Sequence, residues 1–329
     1  MRCIAAFLIT TVLAVSAFGQ SCERTLTLGV APPFGLPLSH DAQDYEATLG
    51  HERISVVKVQ PFKKARTLIL LPADYDHITK DKGDFDRLVG WLSGITALPG
   101  NASVAYGLYA QKMIFSDHFT SDPQELRSSL EELVKNAKTG SLGANYVTYD
   151  RLVEAVGYFG QPQPGDSVIL LSNYAGEYTG DYSRPVTRYS DVVARFLQAG
   201  IRLFVIIPPF GSISSIYSDT TLNMAQGTGG YVSTVADWHR ADKKREAKTF
   251  YSEMGLMLNF NGLGYLVTVA VPQDARGGGY WNLTLNAAAR SRIGFSPKKK
   301  MLFAYPNLLL CGTSKNGDPM IAGVDRQHP

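Results

Sequence analysis

The run Val168 to Leu171 is apolar at every position. A strand with one face in water alternates apolar and polar residues. An uninterrupted run therefore needs cover on both faces, as in a parallel sheet wrapped by helices. Thr67 to Leu71, Val104 to Leu108, Lys112 to Phe115, Ser167 to Leu171 and Arg202 to Ile207 read as strands of one such sheet. Between about residues 65 and 260 these runs alternate with amphipathic helical patterns, the signature of an α/β fold with helices on both faces.

The helical patterns carry their own start and stop signals. Asp122, Pro123 and Glu125 fit the N-cap, N1 and N3 positions of a helix whose apolar stripe is Leu126, Leu130, Leu133 and Val134. Tyr149, Leu152, Val153, Val156 and Phe159 make the next stripe, closed by Gly160. Tyr189, Val192, Val193, Phe196 and Leu197 make another, closed by Gly200. A longer helix is expected over 237–260, with Ala247, Phe250, Tyr251, Met254, Met257 and Leu258 as its packing face rather than a cofactor site.

Outside this region the period changes. Residues 24–62 and 264–305 alternate in the manner of strands, with turn signals at "APPFGLP", "LGHE" and "DARGGG". Neither flank is long enough to bury a core alone, so the two are expected to pair with each other. The predicted organisation is a leader over 1–19 and a split β module over 20–64 plus 262–312. A doubly wound, mostly parallel α/β domain over 65–261 is inserted in that module, and a flexible tail follows over 313–329.

Residues 1–19 carry one positive charge, an apolar stretch from Ile4 to Ala17, and small residues at Ala17 and Gly19, so cleavage of a secretory leader before Gln20 is expected. No later segment offers the roughly 18 uninterrupted apolar residues of a membrane span. The expected location is secreted or periplasmic. The formal charge of +3 loses one with Arg2, which leaves no excess to attract a nucleic acid. Loss of Cys3 leaves Cys22 and Cys311, and an oxidising compartment favours one disulfide between them. Two free thiols and lipidation at Cys22 are the alternatives.

In order along the chain, "RTLILLPADYD", "SVAYGLYAQKMIFSDHFTSDPQELRSSLEEL", "DSVILLSNYAGEYTG", "QAGIRLFVII" and "LNMAQGTGGYVSTVADW" resemble a von Willebrand factor type A domain over roughly 65–260. With the flanks "GLPLSHDAQDYEATLGHERISVVKV" and "GYLVTVAVPQDARGGGYWNLTLNAAA", the chain is similar to a bacterial secreted branch called von Willebrand factor A-related, known mainly from Acidobacteria. The resemblance implies a Rossmann-like sheet and a role in binding or adhesion. It also implies a Mg²⁺ or Mn²⁺ site at the carboxyl ends of the strands. That site uses Asp-x-Ser-x-Ser after the first strand, a Thr before the middle helix, and an Asp after the fourth strand.

This sequence departs from that ligand set. Counted from the strand, the motif's Asp falls on Pro72 and its Ser positions on Asp74 and Asp76; a two-residue slip gives Asp74, Asp76 and Ile78. The Thr falls on Tyr146 or, one place over, Asn145, and the late Asp falls on Asn173. A hard cation needs carboxylate and hydroxyl oxygens near octahedral geometry, and these replacements remove several of them. The reading is therefore no metal and no cofactor, with Mg²⁺ drawn to Asp74 and Asp76 left open. Asp74, Tyr75, Asp76, Asn145, Tyr146, Asn173 and Tyr174 are instead expected to form a ligand-binding apex, in which tyrosines supply aromatic contact. Capping residues and solvated loop tips are the competing reading.

Enzyme signatures are sparse. The sequence has no G-x-S-x-G elbow and no P-loop, and its six histidines lack H-x-x-x-H spacing. His77 beside Asp76 is the one acid–base pair near the apex, and no catalytic residue is assigned. The expected function is that of a secreted, non-catalytic protein that binds a protein or cell-surface ligand. A structural spacer or assembly subunit is the alternative, and a cryptic hydrolase using the apex acids is a further one.

Overall fold

A computed structural model describes residues 21–30, 39–72, 82–99, 101–109, 113–136, 148–172, 189–209, 219–235, 243–272, 281–293 and 303–304. The chain opens with β1 (Ser21–Val30), β2 (Tyr45–Leu49) and β3 (Glu52–Pro61). Next come β4 (Ala65–Pro72), α1 (Lys82–Ser93), β5 (Ala102–Tyr109), β6 (Met113–Phe115), α2 (Pro123–Asn136) and α3 (Thr148–Tyr158). These are followed by β7 (Ser167–Leu171), α4 (Tyr189–Ala199), β8 (Arg202–Ile207), α5 (Asp219–Thr228), β9 (Val232–Thr234) and α6 (Lys243–Gly262). The last elements are β10 (Tyr265–Pro272), β11 (Trp281–Leu285), α7 (Ala287–Arg292) and β12 (Phe303–Ala304).

The strands divide into two sheets. One has the order β6-β5-β4-β7-β8-β9, parallel except for β6 at its edge. Val168, Ile169, Leu170 and Leu171 are all fully buried because the two faces are covered by different helices. Ile69, Leu71, Ile169 and Leu171 meet Leu88 of α1, Leu130 of α2 and Phe250 and Met257 of α6. Leu68, Leu70, Val168 and Leu170 meet Leu152 of α3, Phe196 of α4 and Met224 of α5. Helices on both faces of a mostly parallel sheet make this a doubly wound α/β fold.

The second sheet is antiparallel and joins the two ends of the chain, in the order β11-β2-β3-β10-β1-β12. β1 pairs with β10 from Ser21↔Pro272 to Leu28↔Tyr265, and β10 pairs in turn with β3. Its core face carries Tyr45, Ile54, Val267, Val269, Trp281 and Leu283. The α/β domain is thus an insertion between strands of a split β module.

The chain passes between the sheets twice, and the passages touch. Phe62 N donates to Gly264 O at 3.0 Å. A Cβ on Gly264 would stand 2.1 Å from Phe62 Cε2 and 2.7 Å from Leu28 O, so only glycine lets the strands approach this closely. Arg202, at the start of β8, fills the same junction and is wholly buried. Its Nη2 donates to Asn261 Oδ1 at 2.9 Å, and its guanidinium lies 5.6 Å from the Phe62 ring and 5.4 Å from that of Phe204. Burial pulls its pKa down to about 9.

Several local features differ from the sequence reading. The strand expected at Lys112 to Phe115 is described over Met113–Phe115 and runs antiparallel, because β6 returns directly from β5 instead of through a crossover helix. α1, β9 and the six-residue α7 were not predicted. α7 lies inside a flank read as strand and starts where Asn286 Oδ1 accepts from Ala289 N at 2.8 Å. Tyr251 is not in the packing face of α6: it is 39% exposed, since one residue beyond Phe250 turns it about 100° around the helix. The helix expected over 237–260 is described as Lys243–Gly262. The leader 1–19 and the tail 313–329 lie outside the described residues, as does Cys311; Cys22 is described in backbone only.

Candidate functional site

The parallel strands place one edge of the sheet as the candidate site. β4 and β7 are parallel neighbours, paired from Thr67↔Ser167 to Leu70↔Leu170, and they end at Pro72 and Leu171. Their crossovers diverge. α1 after β4 packs on the face that holds Ile69 and Leu71, whereas α4 after β7 packs on the face that holds Leu68 and Leu70. β4 and β7 therefore form the topological switch point of the sheet. Ser172, just past β7, is buried and donates its N–H to Ile206 O at 3.2 Å, which holds the end of β7 against β8.

The sequence-predicted residues lie, along the chain, next to β4, β7 and α3. Asp74, Tyr75 and Asp76 follow β4, Asn173 and Tyr174 follow β7, and Asn145 and Tyr146 precede α3. All seven lie outside the described residues, as does His77. The described strands that precede two of these segments, β4 and β7, are hydrogen-bonded neighbours.

The first turns of α1 and α6 add a charged cluster that the sequence reading missed. Arg87 Nη2 donates to Asp84 Oδ1 at 2.7 Å, and Arg87 Nη1 lies 3.7 Å from Glu246 Oε2. The guanidinium also sits 5.8 Å from the Trp91 ring. Glu246 is buried although it is a carboxylate. Its signal in the sequence was position: it precedes Phe250, Met254 and Met257 on the buried stripe of α6, where an apolar residue is the default. One arginine between two acids ties α1 to α6.

A second polar group lies near the other edge of the sheet. A cavity of about 250 Å³ is lined by Ile114, Ser116, His118, Glu125, Ser129 and Glu132, among others. Glu125 Oε1 is 2.8 Å from His118 Nε2, and Glu125 Oε2 accepts from Thr120 Oγ1. The Thr120 hydroxyl first, and His118 second, hold the Glu125 carboxyl below its ordinary range. Asp122 Oδ1 accepts from Gln124 N at 2.8 Å, so this cluster is the N-cap of α2 that the sequence predicted. The hydroxyl of Ser116 is engaged with the backbone of Tyr106, donating to its carbonyl and accepting from its N–H.

Among the described residues no group of three or more His, Cys, Asp or Glu side chains is placed to hold a metal ion. No helix among them is long and apolar enough to cross a membrane.

No family model matches the chain. No curated protein matches it either. Among solved structures it is similar to a von Willebrand factor type A protein from Catenulispora acidiphila, at 10% identity over 82% of this chain and 71% of that one, with a TM-score of 0.40. The manganese-loaded TRAP protein of Plasmodium vivax matches at 12% identity over 75% of this chain and 95% of its own, with a TM-score of 0.40. The PilB minor pilin of Streptococcus sanguinis matches at 13% identity over 61% of this chain, with a TM-score of 0.41, and the match spans 62% of the pilin's length. These are likenesses in the course of the chain, at low identity.

Proposed function

We propose that this chain is an exported, non-catalytic binding protein that engages a protein or surface polymer through the residues following β4, preceding α3 and following β7. One observation carries the reading: β4 and β7 are parallel neighbours whose crossovers lie on opposite faces of the sheet. Ligands of open α/β sheets sit outside the strand carboxyl ends at such a point. Asp74, Tyr75 and Asp76 follow β4 in the chain, Asn173 and Tyr174 follow β7 and Asn145 and Tyr146 precede α3, and their tyrosine, acid and amide side chains are of the kinds that interfaces favour.

The reading is metal-free, and its support is the replaced ligand set at Pro72, Asp74, Asp76, Tyr146 and Asn173. It also takes in export through the leader 1–19, an α/β domain bounded at 65 and 261, a Cys22–Cys311 bridge, and kinship with the bacterial secreted von Willebrand factor A-related branch.

The test is capture of cell-envelope material by the immobilised protein. Replacing Asp74, Asp76 and Asn173 together by Ala is expected to reduce capture at least tenfold while leaving the melting temperature unchanged. Undiminished capture would favour the spacer reading. Hydrolytic turnover lost on Asp76→Ala would overturn the non-catalytic one.

A further inference from the structure

β6 is the outermost strand of the α/β sheet. It pairs with β5 on one side, and among the described residues no strand lies against the other. Such an edge offers backbone N–H and C=O groups to an incoming strand. Ser116 N donates to Tyr106 O at 2.9 Å, and hydrogen-bonded pairs alternate along an antiparallel ladder. Ile114 therefore bonds inward to Leu108, and the backbone groups of Met113 and Phe115 face outward. The Ile114 side chain is 38% exposed.

The cavity of about 250 Å³ lies beside this strand. One wall is a single stripe of α2, since Glu125, Ser129 and Glu132 fall at helical spacing. Ile114 and Leu133 form its apolar part, and Asp117, Glu125 and Glu132 its charged part, with no lysine or arginine among the described lining residues. Glu125 is committed to Thr120 and His118. No hydrogen bond or ion pair among the described residues engages the side chain of Asp117 or Glu132. Edge strands are commonly guarded by lysine, which repels a second edge. Here the guard is negative, so it admits a cation. A metal ion would gain nothing from Ile114 and Leu133, and no group of three His, Cys, Asp or Glu side chains among the described residues is placed to hold one. A lysine or arginine side chain suits both parts, because its apolar stem covers hydrocarbon while its charged head reaches carboxylates. A strand added beside β6 would lie about 4.8 Å away, with alternate side chains on the face that holds Ile114.

We propose that β6 is a docking edge for an extended, basic segment of a partner protein, which adds to the sheet as a further strand and places one lysine or arginine in the cavity, against Asp117 and Glu132. Main-chain hydrogen bonds to Met113 and Phe115 supply affinity, and the cavity selects the side chain. The site uses none of the residues that follow β4 and β7 or precede α3, so it stands independently of the binding face proposed there.

The test uses the purified full chain and two pools of end-capped pentapeptides, with lysine or norleucine at the centre and random Val, Thr, Ile and Tyr around it. Norleucine keeps the apolar stem and loses the charge. The lysine pool is expected to bind roughly tenfold more tightly, the size of one charge-assisted hydrogen bond. Glu132→Gln should erase that preference at an unchanged Tm, and Glu131→Gln, one position around the helix, should preserve it. Equal binding of the two pools, binding of neither, or a preference that survives Glu132→Gln would overturn the proposal. Methylating the backbone nitrogens of the lysine pool should abolish binding, and retained binding would overturn the strand addition. Displacement of the lysine pool by millimolar Mg²⁺ at constant ionic strength would overturn the choice of a basic side chain over a metal ion.

Discussion

Replacing Asp166 by Ala removes the carboxylate on which the amino edge of the α/β sheet converges. Asp166 accepts from Arg66 Nε at 3.0 Å, from Arg66 Nη2 at 2.5 Å and from Gln163 N at 2.8 Å, and its side chain is 2% exposed. Arg66 itself is 24% exposed and keeps Phe159 O and Gln161 O as acceptors, at 3.0 and 2.8 Å. Truncation therefore strands Gln163 N and half of a bidentate pair, but it leaves Arg66 able to draw in water. Hydrogen bonds to charged groups contribute about 1.5–3 kcal/mol each, and breaking a buried pair costs about 3–5 kcal/mol. The partial exposure of Arg66 places the expected loss at the low end, about 3 kcal/mol. In a chain of 329 residues that is a fall in Tm of about 4–5 °C. Asp166 also supports the charge of the wholly buried Arg202, which adds to the loss in the same direction. The assay is urea denaturation, with a lower midpoint and an unchanged m expected. A loss under about 1 kcal/mol would refute the reasoning, because the pair would then be behaving like an exposed ion pair.

Other consequences follow from the same contacts. Gly264→Ala puts a Cβ 2.1 Å from Phe62 Cε2, and Phe62 is hemmed in by Gly165 and Arg202, so a loss of roughly 1–3 kcal/mol is expected. Adding Phe62→Leu should restore part of it, and additive losses would contradict the contact. Hydrogen bonds from Arg292 and Ser39 hold the Asp44 carboxyl below its ordinary 3.8, so the unfolded chain takes up that proton first as pH falls. The stability Asp44 contributes is complete above about pH 4 and lost as pH drops through its folded value. Asp44→Asn should flatten the acid limb of stability against pH, and an unchanged limb would be evidence against the interaction. Millimolar Mg²⁺ or Mn²⁺ is expected to leave the Tm where it is; a rise of several degrees would end the metal-free reading, since a native-state ligand must stabilise.

The fold was legible where burial dictated residue type. Val168 to Leu171 could only be a strand covered twice, and Leu126, Leu130 and Leu133 could only be one face of a helix. The pairing of the two flanks followed from their shortness, and β1·β10 and β2·β11 bear it out. Elements decided by tertiary context were not legible. The direction of β6 depends on the tight return from β5, and the short β9 exists because β8 is there to pair with it. Arg202 opens a strand like any solvated arginine, and it is buried because Gly29, Phe62 just past β3 and the end of α6 at Phe260 and Asn261 close over it. The sequence named the ends of these strands as a candidate site without showing which strands would be neighbours, and the pairing of β4 with β7 was settled by the strand order. The Asp84–Arg87–Glu246 cluster was not legible, because it joins helices far apart in sequence.

The central claim is that the edge where β4 and β7 end is a binding face. Binding of envelope material to the immobilised chain, compared between Asp74→Ala/Asp76→Ala/Asn173→Ala and a control carrying Lys63→Ala/Lys64→Ala at the opposite edge, addresses it directly. The account predicts at least a tenfold loss for the first variant and none for the control. Equal binding by both variants would contradict it.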